Sequence, residues 1–285
     1  MKKISFLLVL ATIGLTLSAF LIKSAEKTQF RVATYNIRYA AQMDEESGNG
    51  WDIRKGPLAS LIQRHAFDLV GTQEGRGNQM NDLKTMLPEF EQILHPYGND
   101  DHHNLGILYK GDLFEPLDQG VFWLSETPDT ASIGWDATDR RICQWAKFRH
   151  KTSGKEFFFF NTHFYWRKEI ARRQSGPLIA AKIKEIAGDT PAMITGDFNS
   201  RPETAQIRDI LANLKDAYDA TESPRKGVEG TGFKGGVFQG TPGGRIDYIF
   251  VSPQVRVLGY EVLSDVYNGD RYPSDHLPVT STVVL

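Results

Sequence analysis

The sequence predicts an α/β fold, on three observations. Between residues 30 and 87, strand-like apolar runs alternate with segments of helical period. Between residues 105 and 163, four strand-like runs follow one another with no helical segment among them. From residue 191 onward strands resume, and acids, amides and imidazoles stand at their ends or inside them. With 40% hydrophobic residues over 285 positions, the chain is long enough for one large core. No repeat of fixed period and no linker-like composition interrupts residues 30–285, so that span reads as one domain.

Residues 1–25 stand apart from that core. Lys2 and Lys3 precede an uncharged run from Ile4 to Ile22, then Lys23-Ser24-Ala25, which is the pattern of a secretory signal peptide. Two small-residue cleavage sites are present, Leu17-Ser18-Ala19 and Lys23-Ser24-Ala25, and the run is also long enough for an uncleaved membrane anchor. The expectation is export to the periplasm or the cell exterior, or tethering to a membrane. Cys143 is the only cysteine, so no internal disulfide forms and stability has to come from core burial. Loss of residues 1–25 removes Lys2, Lys3 and Lys23 and moves the formal charge from -2 to -5. That balance argues against a general nucleic-acid binder.

In chain order, residues 30–37 have strand character, residues 41–50 are a polar loop, and residues 51–65 form a helix carrying Leu58, Leu61 and Ile62. Residues 67–74 are a strand ending in an acid, and residues 79–87 a helix stopped by Pro88. Strands follow at 105–110, 121–124, 144–150 and 155–163, the last two joined by the turn Lys151-Thr152-Ser153-Gly154. The unbroken aromatic run Phe157 to Phe160 predicts a strand covered on both faces. Residues 168–187 are the clearest helix, with Ile170, Gln174, Leu178, Ala181 and Ile186 near one side. Residues 191–194 are a buried strand, and Pro202 sets up a helix over about 203–214. Residues 222–244 are Gly-rich, charged and loop-like, and the strands at 246–251, 255–263 and 279–285 complete the chain.

Asn36, Glu74, His163, Asp197, Asn199, Asp247, Asp275 and His276 each sit at a strand end or interrupt an apolar strand. Singly, each has a plain reading: Asp197-Phe198-Asn199 is an Asx turn, and His163 a hydrogen-bonded turn residue. Asp247 is harder to dismiss, because a buried carboxylate is costly without a partner. Sheet topology gathers strand ends at one edge, and eight separate turn-and-cap explanations are a poor account of the whole set. Oxygen donors such as Asn36, Glu74 and Asp275 suit a hard cation, Mg²⁺ or Mn²⁺, better than zinc. Two imidazoles beside carboxylates suit proton transfer and charge stabilisation at a reacting phosphoryl group.

Six blocks now carry a resemblance: Thr34-Tyr35-Asn36, Gly71-Thr72-Gln73-Glu74, Asn161-Thr162-His163, Gly196-Asp197-Phe198-Asn199, Arg245-Ile246-Asp247-Tyr248-Ile249 and Ser274-Asp275-His276. In wording and order they resemble the endonuclease/exonuclease/phosphatase family of metal-dependent phosphoesterases. Phe122-Trp123-Leu124-Ser125-Glu126-Thr127-Pro128, with Gly134-Trp135-Asp136 and Arg140-Arg141, resembles a loop of its bacterial secreted branch. The resemblance implies a four-layered sandwich: two mostly antiparallel sheets face to face with helices outside. It implies that Glu74 is the principal metal ligand, helped by Asn36 and Asp275, and that Asp197 and Asn199 orient the attacking water and the phosphate. His276, held in its tautomer by Asp247, would be general base or phosphate ligand, and His163 would stabilise transition-state charge. The expected activity is hydrolysis of a phosphomonoester or phosphodiester by in-line attack of a metal-assisted water.

Three residues are candidates for substrate contact. Arg141 is a guanidinium clamp for phosphate or half of a surface ion pair. Many relatives have an acid and a His soon after the Thr-His pair, whereas here Phe164-Tyr165-Trp166 follows. Tyr165 and Trp166 stack on a sugar or base, or pack against the next helix. A small, sugar-linked or lipid-headgroup phosphate ester fits the charge balance better than nucleic acid. The alternatives are a DNA or RNA nuclease, and a non-catalytic carbohydrate- or partner-binding protein on the same fold.

Overall fold

The computed structural model describes residues 28–97 and 104–285, so the expected signal or anchor segment at 1–25 lies outside the described residues. One sheet contains β1 (Gln29–Asn36), β2 (Leu69–Gly75), β3 (Phe90–Pro96), β4 (Asn104–Lys110), β10 (Lys226–Gly227), β12 (Arg256–Val262) and β13 (Val279–Val284), in the order β10-β12-β13-β1-β2-β4-β3. The other contains β5 (Phe114–Trp123), β6 (Ile142–His150), β7 (Glu156–His163), β8 (Ala192–Asp197), β9 (Lys215–Asp216) and β11 (Asp247–Val251), in the order β5-β6-β7-β8-β11-β9. Only the pairs β1/β2, β7/β8 and β10/β12 are parallel among the described residues, so both sheets are mostly antiparallel. The helices are α1 (Gln42–Glu46), α2 (Trp51–Arg64), α3 (Gly77–Met86), α4 (Glu169–Ala187), α5 (Ala205–Leu211) and α6 (Ala217–Ala220).

Three apolar layers make this a four-layered sandwich. Between the sheets, Val32, Leu69, Ile107, Val257 and Val283 meet Phe148, Phe157, Phe159, Met193 and Ile249. Behind β7, β8 and β11, Phe158, Phe160, Ile194 and Phe250 pack on Ile179 and Ile183 of α4 and on Ile207 and Ile210 of α5. Behind β1, β2 and β4, Tyr35, Val70 and Leu108 pack on Leu58, Leu61 and Ile62 of α2 and on Met80 and Leu83 of α3. The aromatic run of β7 is thereby explained: its side chains alternate between two cores, each buried ring contributing about 1.5–3 kcal/mol. The turn at Lys151 to Gly154 closes a hairpin, with Gly154 at φ 72° and the His150 amide bonded to the Lys155 carbonyl.

Several boundaries differ from the expectation. The loop at 41–50 contains the short α1. The half-exposed edge strand β3 carries too little apolar alternation to read from sequence, and β5 starts at Phe114. Helix α5 is shorter at both ends than the predicted 203–214. In α4 the buried side is Ala171, Ser175, Ile179, Ile183 and Ala187, while Ile170 is 54% exposed. The cause is close contact with α5, where a Cβ on Gly176 would collide with the Gln206 backbone; such proximity selects small residues. Ser175 is tolerated inside because its hydroxyl donates to the Ala171 carbonyl.

Candidate active site

Where β1, β2, β7 and β8 end, apolar contact between the sheets gives way to buried hydrogen bonds. Gln73 Nε2 donates to Asn161 Oδ1 at 2.7 Å, and Asn161 Nδ2 donates to the carbonyls of Thr72 at 2.8 Å and Gly106 at 3.0 Å. A Cβ on Gly71 would collide with Thr195 Oγ1 and Asn161 Oδ1, so glycine allows the sheets this approach. The polar layer fixes the two sets of strand ends against each other.

Above it lies a cleft of about 870 Å³ lined by Glu74, His163, Asp197, Asn199, Asp275 and His276, among others. A bulge in β2 between Thr72 and Gly75 turns Glu74 toward it, with Glu74 itself at φ 67°. Glu74 accepts hydrogen bonds from Asn36 Nδ2 at 3.1 Å and from the Tyr39 amide at 3.3 Å. Asp197 ends β8 and has the most convergent surroundings. Its Oδ1 accepts from the Asn199 amide at 2.9 Å, and its Oδ2 accepts from Asn36 Nδ2 at 3.1 Å. The same Oδ2 lies 3.4 Å from His163 Nε2 and 3.7 Å from His276 Nε2. Asn199 is left-handed at φ 46°, and its Nδ2 donates to the Phe164 carbonyl at 3.1 Å.

Asp247 opens β11 opposite Asp197 in the ladder. Its Oδ2 accepts from Thr231 Oγ1 at 2.6 Å and sits 2.9 Å from His276 Nδ1, so the buried acid has partners. A β-bridge between Gly232 and His276 ties the 222–244 loop to the imidazole. Arg38 grips Asp44 through two nitrogens and lies 3.7 Å from Asp275. Tyr97 OH is 3.4 Å from His163 Nδ1.

Burial sets the electrostatics. It pushes the Asp197 carboxyl up to about 7, although His276 opposes the rise. Burial also raises Glu74, but His163, His276 and the Asn36 amide outweigh it and hold the carboxyl down at about 2. For His276, burial disfavours charge, yet Asp247 and Asp197 hold the imidazolium well above its ordinary range. Asp275 is raised, first by burial, with Glu74 adding to the rise.

Glu74, His163, Asp197, Asn199, Asp275 and His276 thus line one cleft. Asn36 and Asp247 stand behind its wall, each 1% exposed. The Asn36 amide nitrogen donates to Glu74 and Asp197, and its oxygen accepts from the Arg38 amide, so it braces both carboxylates. Asp197, Asp247 and His276 bring three ligand-type atoms within 4.8 Å of one another. This trio is an imidazole held between two carboxylates, with Nδ1 already engaged by Asp247. Glu74 and Asp275 line the cleft and offer carboxylate oxygens, the ligand type that a hard divalent cation takes.

Of the substrate candidates, Arg141 lines the cleft at 9% exposure, its guanidinium 5.3 Å from the Tyr97 ring and 5.4 Å from the Tyr165 ring. It makes no ion pair with the described residues, which removes the surface-pair reading. Tyr165 is not a wall of the cleft. It is 2% exposed, lies beneath Arg141 and bonds Thr138 Oγ1 at 2.7 Å, because its chain segment turns inward to pack before α4. Trp166 is 56% exposed on the rim, with the Arg167 guanidinium 4.4 Å over its ring.

Two supporting residues escaped the sequence reading. Fully buried Arg54 donates to the carbonyls of Ile37, Arg38, Asn49 and Pro273, joining the ends of β1 and the 273–276 segment. Its spacing to Leu58 and Leu61 puts it on the inner face of α2, and that was a legible signal. Thr231 lies in a loop without periodicity, where no pattern marks it.

The chain matches the model of the Endonuclease/Exonuclease/phosphatase family over residues 33–276. It is similar in structure to a mannosyl-6-phosphatase of Bacteroides thetaiotaomicron, at 38% identity and TM-score 0.85, covering 90% of this chain and 100% of that one. A family protein of Bacteroides vulgatus is 40% identical at TM-score 0.81, covering 90% of this chain and 99% of the other. A viral protein of Acanthamoeba polyphaga mimivirus, uncharacterised, is 26% identical over 249 residues, 80% of this chain and 90% of its own length. With six motif blocks converging on one cleft in a two-sheet sandwich, the chain belongs to the endonuclease/exonuclease/phosphatase family.

Proposed function

We propose that the protein is an exported phosphomonoesterase, dependent on Mg²⁺ or Mn²⁺, that removes phosphate from a phosphorylated sugar. The observation that carries this reading is the setting of Asp197, whose carboxylate faces two imidazoles and the Asn199 amide beside an oxygen-donor corner in one cleft. The sugar is supported by similarity to the mannosyl-6-phosphatase and by Trp166, an exposed ring on the rim able to stack on a pyranose.

Glu74 and Asp275 would hold the cation, which when bound neutralises phosphoryl oxygens and favours ionisation of water. Asp197 orients the attacking water and accepts its proton. His276, kept cationic by Asp247, donates from Nε2 to one phosphoryl oxygen, and His163 Nε2 faces the developing charge from the other side. Arg141 clamps the phosphate, its guanidinium held in place by Tyr97 and Tyr165. Attack in line with the sugar oxygen forms the new P–O bond as the bond to that oxygen breaks; the sugar oxygen takes a proton from solvent and leaves, giving free sugar and inorganic phosphate.

Phosphate release from mannose 6-phosphate with Mg²⁺ or Mn²⁺ tests the reading. Asp197→Asn and His276→Ala should be silent while unfolding at temperatures near that of the parent. Near-normal turnover in either variant would overturn the assignment. Export rests on the basic and apolar segment at 1–25. Cell fractionation checks it, and a protein confined to the cytoplasm with Met1 retained would refute it.

A further inference from the structure

Among the described residues, several arginines and lysines pair with a carboxylate: Arg31 with Glu261, Lys110 with Asp68, Lys147 with Glu156, Arg245 with Asp216 and Arg256 with Glu222. The cleft gathers cations that do not. Arg140, Arg141, Arg167, Arg201 and Lys234 all line it, and none has a carboxylate oxygen within 4.0 Å among the described residues. Arg140 and Arg141 also keep a buried Nε without a hydrogen-bond partner, and Arg141 is itself nine-tenths buried. For Arg141 and for the Nε of Arg140, burial without a partner is costly unless a bound anion completes them, whereas Arg167, Arg201 and Lys234 are exposed and add positive charge without that cost.

The cations have an order set by the fold. Arg140 and Arg141 precede β6, Arg167 follows β7 and Arg201 follows β8, and these three strands are neighbours in the six-stranded sheet. At about 4.8 Å per strand, β6 to β8 covers roughly 10 Å of sheet edge. The acids Glu74 and Asp275 come from the opposite sheet or the approach to it. Two carboxylates share this side of the cleft: Asp197 at the end of β8, and Asp139, whose Oδ2 accepts from Thr138 Oγ1 at 3.2 Å. A single phosphoryl group that already meets His163, His276 and Arg141 leaves Arg140, Arg167, Arg201 and Lys234 without a counter-charge.

Resting on the catalytic corner proposed above, we infer that the substrate is a sugar phosphate bearing a second anionic group, phosphate or carboxylate, which docks on the wall formed by Arg140, Arg167 and Arg201. Guanidinium groups pair with either anion through two parallel hydrogen bonds.

The test compares three esters sharing a 6-phosphate: mannose 6-phosphate, mannose 1,6-bisphosphate and 6-phosphogluconate, the last with a carboxylate at C1. With Mg²⁺, kcat/KM for at least one of the two doubly anionic esters should exceed that for mannose 6-phosphate by tenfold or more, through KM. Preference for the bisphosphate alone assigns the second group as phosphate, and preference for both assigns any anion. In Arg167→Ala/Arg201→Ala, whose substituted side chains are exposed, the ratio should fall to within twofold of unity. Equal kcat/KM for all three in the parent protein, or a ratio unchanged in the double variant, overturns the inference. Should no ester be hydrolysed, the proposed activity fails by itself. Calorimetric Kd values for the same three compounds are then judged by the same ratios.

Discussion

Replacing Thr231 with Val removes one buried hydroxyl and little else, yet that hydroxyl serves three partners. It donates to Asp247 Oδ2 at 2.6 Å and accepts from the amides of Ile246 at 3.0 Å and Asp247 at 3.1 Å. The bond to the carboxylate is charge-assisted and contributes about 1.5–3 kcal/mol, and each amide left unpaired adds roughly 1–3 kcal/mol. Ladder contacts of β11 recover part of this, so a net loss of about 3–5 kcal/mol is expected, a fall of about 10 °C in thermal midpoint for a domain of this size. The functional consequence is separate. Asp247 Oδ1 already lacks a partner, so Oδ2 would be left with His276 alone, and the imidazole would lose the anchor that fixes its orientation. A drop in kcat of about 10- to 100-fold follows from the usual weight of such supporting bonds, with KM little changed because Thr231 does not line the cleft. Phosphate release and thermal unfolding read the two effects independently, and Thr231→Ser should restore both. A Thr231→Ser protein as impaired as Thr231→Val, or a Thr231→Val protein with parental kcat, would refute the positioning role.

Arg54→Met strips four carbonyls of their donor, those of Ile37 and Pro273 buried, and should destabilise by about 3–5 kcal/mol, seen as a lowered denaturation midpoint or insoluble expression; a parental midpoint would show that the end of β1 does not depend on it. Treatment with EDTA should abolish phosphate release and Mg²⁺ or Mn²⁺ should restore it; full activity after exhaustive chelation would remove the cation from the mechanism. Asp265 gives a pH-dependent test of stability. Burial raises its carboxyl, but hydrogen bonds from His65 and Arg64 hold it below the ordinary 3.8. A depressed carboxyl stabilises the fold above its unfolded value, and that contribution is lost as pH falls through the lower folded value. The parent should therefore be more stable than Asp265→Asn near pH 6, with the gap closing below pH 4; a gap independent of pH would assign the difference to packing.

The site was legible in sequence where a polar residue breaks an apolar run. Asp247 inside Ile246-Asp247-Tyr248-Ile249-Phe250 is the plainest case, and the structure supplies its partners, His276 and Thr231. Four layers were implied by resemblance, and the unbroken aromatic run of β7 was their local trace. What pattern does not record is direction. Tyr165 and Trp166 are adjacent aromatics, yet one is sealed beneath Arg141 and the other stands in solvent, a choice made by the packing of the 164–168 segment. In α4, hydrophobicity placed Ile170 inward, whereas the close approach of α5 favoured Ala171 and Gly176. Composition is silent in a related way. A formal charge of -2 averages the whole surface, while cations from three neighbouring strand ends collect at one cleft.

That segregation follows from building one site across two sheets. The end of β2 and the approach to β13 supply Glu74 and Asp275, whereas the ends of β7 and β8 supply His163, Asp197 and the arginines beyond them. Glu74, Asp275 and His276 therefore come from one sheet and His163 and Asp197 from the other, and the register between the sheets brings them together. Asn36 shows how tight that register is, since one amide nitrogen reaches Glu74 on its own sheet and Asp197 on the other, each at 3.1 Å. Beneath it, Gln73, Asn161 and Thr195 hold the same register in a layer shut off from water, where each hydrogen bond is stronger and a missing partner costs more. The geometry of the cleft thus depends on buried amides behind it, because a slip of one sheet against the other would separate the carboxylate of Glu74 from the His163 imidazole that helps to hold it ionised.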